Sequence, residues 1–134
     1  MRHLLEEQGL ADQFHVESAG TGSWHVGEPP HRGSIQIADH HGIDIRTQRS
    51  QQLTAADVQH YDWLVAMDTS NRNGIRHLDR DGSKTDRIVL LLDYAEGDGP
   101  RDVPDPYYEG GFDGVYDLVY RGCEGLLKHI LETR

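Results

Sequence analysis

The sequence predicts an α/β layer fold, in which helices cover both faces of a parallel sheet. Two apolar runs, at residues 62–67 and 87–94, show little alternation, which is typical of strands buried on both faces. Segments with helical spacing precede, separate and follow these runs, and such alternation of helix and strand favours a parallel sheet. Ligands in folds of this class bind beyond the carboxyl ends of the strands.

The first third of the chain predicts a helix, a strand and a second helix. MRHLLEEQGL, residues 1–10, has helical spacing and stops at Gly9, a suitable residue for a helix C-terminus. FHVESAG, residues 14–20, alternates apolar and polar side chains as a half-buried strand does. Apolar spacing then predicts a helix over about residues 31–41, with Gly42 at its end.

The rest of the chain predicts three more helical segments around the two apolar runs. Residues 53–58 form a further helical turn, with Thr54 as the capping candidate. DTSNRNGIRHL, residues 68–78, supplies a cap and a helix between the two strands. A long amphipathic helix of about 20 residues ends the chain, because apolar side chains recur at helical spacing: Val115, Leu118, Val119, Leu126, Leu127 and Ile130.

Composition limits the kind of protein and its partners. A chain of 134 residues fits one compact domain, and we expect a single domain over residues 1–134. The net charge of −10 results from 13 Lys and Arg against 23 Asp and Glu, so we expect no binding to nucleic acid or to an anionic membrane. Cys123 is the only cysteine, and the first residues do not form a signal peptide, which together predict a cytoplasmic protein.

The stretch VPDPYY, residues 103–108, holds one acid between two prolines. Because a residue before proline is pushed towards extended geometry and Pro104 fixes its own φ, a stiff backbone presents Asp105. A general acid needs such placement, since proton transfer works within about 3 Å of the leaving atom. Tyr107 and Tyr108 add flat, rigid area suited to an aromatic substrate. On composition alone, a proline-rich surface turn is the simpler interpretation.

Four motifs in order resemble the low-molecular-weight protein tyrosine phosphatases. They are SAGTGSWHVGEPP at residues 18–30, HHGIDIRTQRSQQL at 40–53, YDWLVAMDTSN at 61–71 and VPDPYYEGGFDGVYDLV at 103–119. The resemblance runs from the first residue to the last. It implies a three-layer, flavodoxin-like α/β fold that hydrolyses phosphotyrosine in proteins or small aryl phosphates, without a metal or other cofactor.

The resemblance also implies roles for individual residues. In that family a cysteine thiolate from a C-x5-R-S loop attacks phosphorus, and the acid of D-P-Y-Y protonates the leaving phenolate and then activates water. Asp105 matches this acid, and Asp68 matches a motif position near the same site. The other matches are aromatic walls of the substrate pocket and a polar pair that braces the phosphate loop: Trp24, Tyr107 and Tyr108 for the walls, and Ser18 and His41 for the braces.

The C-x5-R-S loop does not occur among the 134 residues. The family places it between the first strand and the first helix, and MRHLLEEQGL matches the second half of that helix. The resemblance therefore predicts a domain without the family's first strand, and a chain that does not turn over phosphotyrosine by itself. Three explanations remain open: the sheet re-pairs, a second chain fills the gap, or the biological protein starts upstream. The intact acid, walls and braces favour the last.

Other interpretations have less support from the sequence. Arsenate reductases share the fold but need the loop cysteine and further cysteines to resolve it. Cys123 falls on the apolar face of the last helix, so we expect a buried structural thiol. DHHG, residues 39–42, invites a metal, but adjacent histidines on a helix point apart and we expect no metal site. A non-catalytic remnant that dimerises through exposed sheet edges is the second class of function.

Overall fold

The structure is a computed structural model that describes residues 1–21, 26–95, 97, 99–104 and 111–133. Within these ranges, helices flank a small parallel sheet. The helices are α1 (Arg2–Glu7), α2 (Arg32–His40), α3 (Ala55–His60), α4 (Thr69–Leu78) and α5 (Gly111–Thr133), and the strands are β1 (Leu64–Ala66) and β2 (Ile88–Leu90). Short 3₁₀ turns cover Ala11–Gln13, Thr85–Arg87 and Leu91–Tyr94. The predicted α/β class, with a parallel sheet flanked by helices, is confirmed.

The two strands divide the core into two layers. β1 and β2 pair in parallel, with Leu64 opposite Ile88 and Val65 opposite Val89. The side chains of Leu64 and Ile88 pack into a cluster with α3 and α4, whereas Val65 and Val89 face a cluster built on α1 and α5. Because both faces are covered, neither strand has a polar side, which explains the uninterrupted apolar runs.

The helix boundaries follow the capping signals in the sequence. The Thr54 side chain accepts a hydrogen bond from the Asp57 amide at 3.1 Å, and the Asp57 carboxylate accepts one from the Thr54 amide at 3.0 Å, which forms a capping box. Gly9 and Gly42 follow α1 and α2 with φ of 70° and 77°. Glycine adopts such left-handed geometry without strain, so both helices end where the sequence predicts.

The strand predicted over residues 14–20 is wrong. Within it, Gly20 alone takes part in a sheet-like bridge, with Gln52 as its partner. The carbonyl of Val16 instead accepts a hydrogen bond from the Arg2 side chain, at 2.9 Å from Nε. The arginine donor satisfies the Val16 carbonyl without a neighbouring strand. The alternating pattern therefore indicates which side chains are half-buried, but it does not indicate which backbone groups pair with another strand.

The strand predicted over residues 87–94 is shorter than its apolar run. β2 ends at Leu90, and Leu91–Tyr94 turns as a 3₁₀ helix. Leu91 and Leu92 are each only 2% exposed, and Leu91 packs into the core cluster that includes leucines of α5. An apolar run records burial in either geometry, so periodicity could not separate the strand from the turn.

The long helix α5 approaches this turn closely through two glycines. A Cβ at Gly125 would overlap the carbonyl oxygen of Tyr94, and one at Gly122 would lie 2.8 Å from Cγ of Leu91. The glycines therefore let the helix touch the backbone that follows β2. Of the helices that the structure describes, none has the length and apolarity needed to cross a membrane.

Candidate functional site

A network of three hydrogen bonds ties Asp102 and Val103 to the residues that follow β1. The Val103 amide donates to the Met67 carbonyl at 2.8 Å. Oδ1 of Asp102 accepts hydrogen bonds from the Thr69 amide at 2.9 Å and from the Thr69 hydroxyl at 2.8 Å. We call Met67, Thr69, Asp102 and Val103 the acid-loop anchor, because Asp105 lies two positions after Val103 in the sequence. The carboxyl end of a parallel strand is where ligands bind in this class of fold.

The first turn of α4 is built to receive carboxylates. Asp68 is its N-cap, with extended backbone geometry, and Oδ1 of Asp68 accepts a hydrogen bond from the Asn71 amide at 2.7 Å. Asp102 supplies a second carboxylate, at the Thr69 amide. Both occupy the positive end of the helix dipole, which favours negative charge. The motif position of Asp68 thus has a structural role as a helix cap beside the anchor.

Ser18 lies in a loop that a second segment of the chain holds in place. Its carbonyl accepts a hydrogen bond from Nε2 of Gln51 at 2.8 Å. Two residues on, Gly20 donates to the Gln51 carbonyl and accepts from the Leu53 amide, both at 2.8 Å. The loop then meets α4, where a Cβ at Gly74 would lie 3.1 Å from Cγ2 of Thr21. The loops that carry Ser18 and Asp102 therefore both contact α4 or the residues just before it.

His41 lies at a different interface. It caps the C-terminus of α2, and its ring stacks on Tyr116 of α5 with centroids 4.0 Å apart and planes 7° apart. Burial, the charge of Glu7 and that of Cys123 raise the pKa of Tyr116. In the part of the chain that the structure describes, no hydrogen bond joins His41 to Ser18, and the bracing role of both stays a prediction.

Asp105, Trp24, Tyr107 and Tyr108 all lie outside the described residues. Their roles therefore stay predictions, and the anchor is the part of the acid loop whose contacts are defined.

Cys123 is buried in the core and not at the site. It is 7% exposed and packs with leucines of α1, α5 and the 3₁₀ turn after β2. The sixth residue after it is His129, so no C-x5-R pattern starts there. The prediction of a buried structural thiol is confirmed. Among the residues that the structure describes, no group of three or more His, Cys, Asp or Glu side chains could hold a metal ion.

Sequence reasoning missed Asp102 and Thr69. Their contact joins residues 33 positions apart, beyond the range of any local pattern in the sequence. The available signal was the prediction that the loops after the strands meet at one edge of the sheet. That signal indicates the neighbourhood but not which side chains bond.

The comparisons with known proteins agree with one another. The family model described as "Low molecular weight phosphotyrosine protein phosphatase" matches residues 1–134. The low molecular weight protein-tyrosine-phosphatase YfkJ of Bacillus subtilis (strain 168) is 39% identical over 133 residues, which cover 99% of this chain and 85% of that protein. PtpA of Staphylococcus aureus (strain MRSA252) is 37% identical over 132 residues, with 98% and 82% covered. The crystal structure of YfkJ matches with a TM-score of 0.91 over 99% of this chain and 83% of that chain, at 37% identity.

Proposed function

The chain belongs to the low molecular weight phosphotyrosine protein phosphatase family, and from this membership we propose that it contributes the proton donor and substrate walls of a phosphotyrosine phosphatase. The substrates are phosphotyrosine in proteins and small aryl phosphates. The observation that carries the proposal is the family match over residues 1–134, which includes the D-P-Y-Y motif. The acid-loop anchor supports the proposal, because it ties Asp102 and Val103, which precede this motif in the sequence, to the residues at the carboxyl end of β1.

The proposed reaction has two steps with Asp105 in both. A cysteine thiolate attacks phosphorus, the bond from phosphorus to the phenolic oxygen breaks, and Asp105 gives its proton to the leaving phenolate. Asp105 then takes a proton from a water molecule that attacks the phosphocysteine, the phosphorus–sulfur bond breaks, and inorganic phosphate leaves. In this proposal Trp24, Tyr107 and Tyr108 flank the substrate ring.

The nucleophile and the phosphate-binding arginine are not among the 134 residues. Cys123 cannot replace the nucleophile, because it is buried in α5. We therefore expect the 134-residue chain alone to leave aryl phosphates intact, and we expect activity when a C-x5-R-S loop is joined ahead of Met1. In such an extended chain, Ser18 and His41 would brace the loop.

The test compares the 134-residue chain with a chain extended through the upstream reading frame, using an aryl phosphate and a phosphotyrosine peptide. The extended chain should hydrolyse both, and Asp105→Asn should lower its kcat by roughly 10²- to 10⁴-fold. Asp113→Asn removes an equal charge from the first turn of α5 and should leave the rate unchanged. An upstream frame without C-x5-R-S, or full activity of the 134-residue chain, would contradict the proposal.

A second candidate is a binding role through homodimerisation at sheet edges. It is favoured by the small size of the sheet, which has two strands in the described residues and therefore two outer edges. The measurement is the molar mass by light scattering between low and high protein concentration. A monomer at every concentration would remove this candidate. Because the net charge of −10 repels other anions, we further propose that the protein binds neither nucleic acid nor anionic membranes. Because its one cysteine allows no disulfide within these 134 residues, we also propose a cytoplasmic location.

A further inference from the structure

The acid-loop anchor does more than cap α4, because it also fixes a distant segment of the chain beside the end of β1. α4 already has an N-cap in Asp68, whose carboxylate accepts from the Asn71 amide. Asp102 adds a second carboxylate from a segment 33 residues away, and it accepts two hydrogen bonds from Thr69 on the same oxygen. The adjacent Val103 amide is bonded to the Met67 carbonyl at 2.8 Å. Two neighbouring residues of one segment are thus fixed on the exit of β1.

The two fixed residues, Asp102 and Val103, precede the predicted acid Asp105 by three and two positions in the sequence. Asp102 and Asp105 are three residues apart, a span of at most about 10 Å. Pro104 fixes its own φ and restricts Val103 before it, so few dihedral angles separate the anchored carboxylate from Asp105. A displacement at Asp102 therefore moves Val103 and Pro104, the two described residues that precede Asp105 in the sequence.

Resting on the proposed function, we propose that Asp102 is a positioning residue for proton transfer, and that it acts through Thr69 to hold the segment that presents Asp105. It does not touch the substrate. Proton transfer demands placement of the acid within hydrogen-bond reach of the leaving oxygen, and a misplacement of about 1 Å costs on the order of 100-fold in rate. A residue that only capped α4 would affect stability and leave the proton transfer step unchanged.

The first experiment tests the anchor without any catalysis. Hydrogen exchange of the Val103 amide is measured in the 134-residue chain and in its Asp102→Ala and Asp102→Asn variants. Asp102→Ala should speed exchange at Val103, whereas Asp102→Asn keeps an oxygen acceptor and should retain most of the protection. Thr54→Ala is the matched control, because it removes a helix cap at α3 and lowers stability without touching the anchor. Equal exchange at Val103 in Asp102→Ala and Thr54→Ala would overturn the proposal.

The second experiment tests the role in proton transfer, in the extended chain. kcat/KM is measured for aryl phosphates whose leaving phenols have increasing pKa. Asp102→Ala should lower kcat/KM by about 100-fold for phenyl phosphate, whose leaving group needs a proton. It should change kcat/KM little for a dinitrophenyl phosphate, whose leaving group does not. The single variants Asp102→Asn and Thr69→Ser should retain most of the kcat/KM for phenyl phosphate, because each keeps groups that can form the hydrogen bonds between residues 69 and 102.

The outcomes separate this role from the proposed function itself. If the extended chain is active and Asp102→Ala lowers kcat/KM equally for all the aryl phosphates, the positioning role is overturned and the phosphatase proposal stands. An inactive extended chain would overturn the phosphatase proposal and the role of Asp102 with it. A steeper dependence on the phenol pKa in Asp102→Ala, rescued by Asp102→Asn, would support both.

Discussion

Asp79 is a carboxylate that is only 7% exposed, and it accepts hydrogen bonds from two other segments of the chain. It follows α4 directly, and Oδ1 accepts from Nε2 of Gln59 in α3 at 3.1 Å. Oδ2 accepts from the Lys84 amide, in the loop before β2, at 3.0 Å. Buried carboxylates are costly unless their oxygens are bonded, and here both oxygens have partners. At the scale of single residues, such bonded acids join elements that lie far apart in sequence.

Asp79→Ala should lower the free energy of unfolding by about 1–3 kcal/mol, because it leaves the Lys84 amide and the Gln59 side chain without an acceptor. Asp86→Ala is the control, since Asp86 is exposed in the 3₁₀ turn before β2, and its effect should stay within about 0.5 kcal/mol. Urea unfolding followed by circular dichroism measures both. Similar losses in the two variants would show that the bonds of Asp79 do not stabilise the fold.

The helix α5 contains several interior glycines, although glycine has a low helix propensity. Glycine in a helix interior costs about 0.5–1 kcal/mol relative to alanine, yet the helix contains Gly114, Gly122 and Gly125. Two of these have a packing reason, since Gly122 and Gly125 lie against Leu91 and Tyr94. Gly114 has no atom within 4 Å of where its Cβ would be, among those described. The close approach therefore overrides helix propensity at specific positions only.

Two matched substitutions separate these effects at the scale of the element. Gly125→Ala should destabilise the protein by about 1–3 kcal/mol, because the new methyl group would overlap the Tyr94 carbonyl and force α5 outward. Gly114→Ala, in the same helix, should stabilise the protein by about 0.5–1 kcal/mol, because the new methyl group meets no atom of the described residues and alanine has the higher helix propensity. Thermal unfolding of the two variants gives the comparison. A stabilising Gly125→Ala would rule out the close packing of α5 on the turn after β2.

The whole molecule carries an excess of negative charge that its ion pairs do not remove. The pairs Arg46 with Asp39, Arg101 with Asp93 and Arg121 with Asp117 join side chains that are all at least 43% exposed. Exposed pairs contribute little to stability. The net charge of −10 remains, and self-repulsion of this kind opposes the compact state.

Salt should therefore raise the melting temperature at neutral pH. Raising NaCl from about 0.01 M to about 1 M shortens the screening length from roughly 30 Å to roughly 3 Å and weakens the repulsion. Differential scanning calorimetry at pH 7 measures the rise. The same series near pH 5.2, the sequence pI, is the control, because the net charge vanishes there and the rise should be much smaller. An equal rise at both pH values would point to a general salt effect and not to charge repulsion.

Local signals in the sequence predicted much of the fold. Thr54 and Asp68 cap the helices that the sequence predicts they cap, and Gly9 and Gly42 follow the ends of α1 and α2. The apolar runs gave both paired strands, although β2 is shorter than its run. Each of these signals depends on contacts within a few residues, or on burial alone, and both can be read from spacing.

The sequence by itself determined the α/β class, the positions of the helices and, through four motifs, the family to which the chain belongs. The tertiary structure alone decided that the backbone at Val16 bonds to an arginine side chain and not to a strand, that His41 stacks on α5, and that Asp102 bonds to Thr69. The physical reason is distance along the chain. Hydrogen bonds between segments 14 or 33 residues apart depend on how whole elements pack, and no local pattern specifies which partner each group finds.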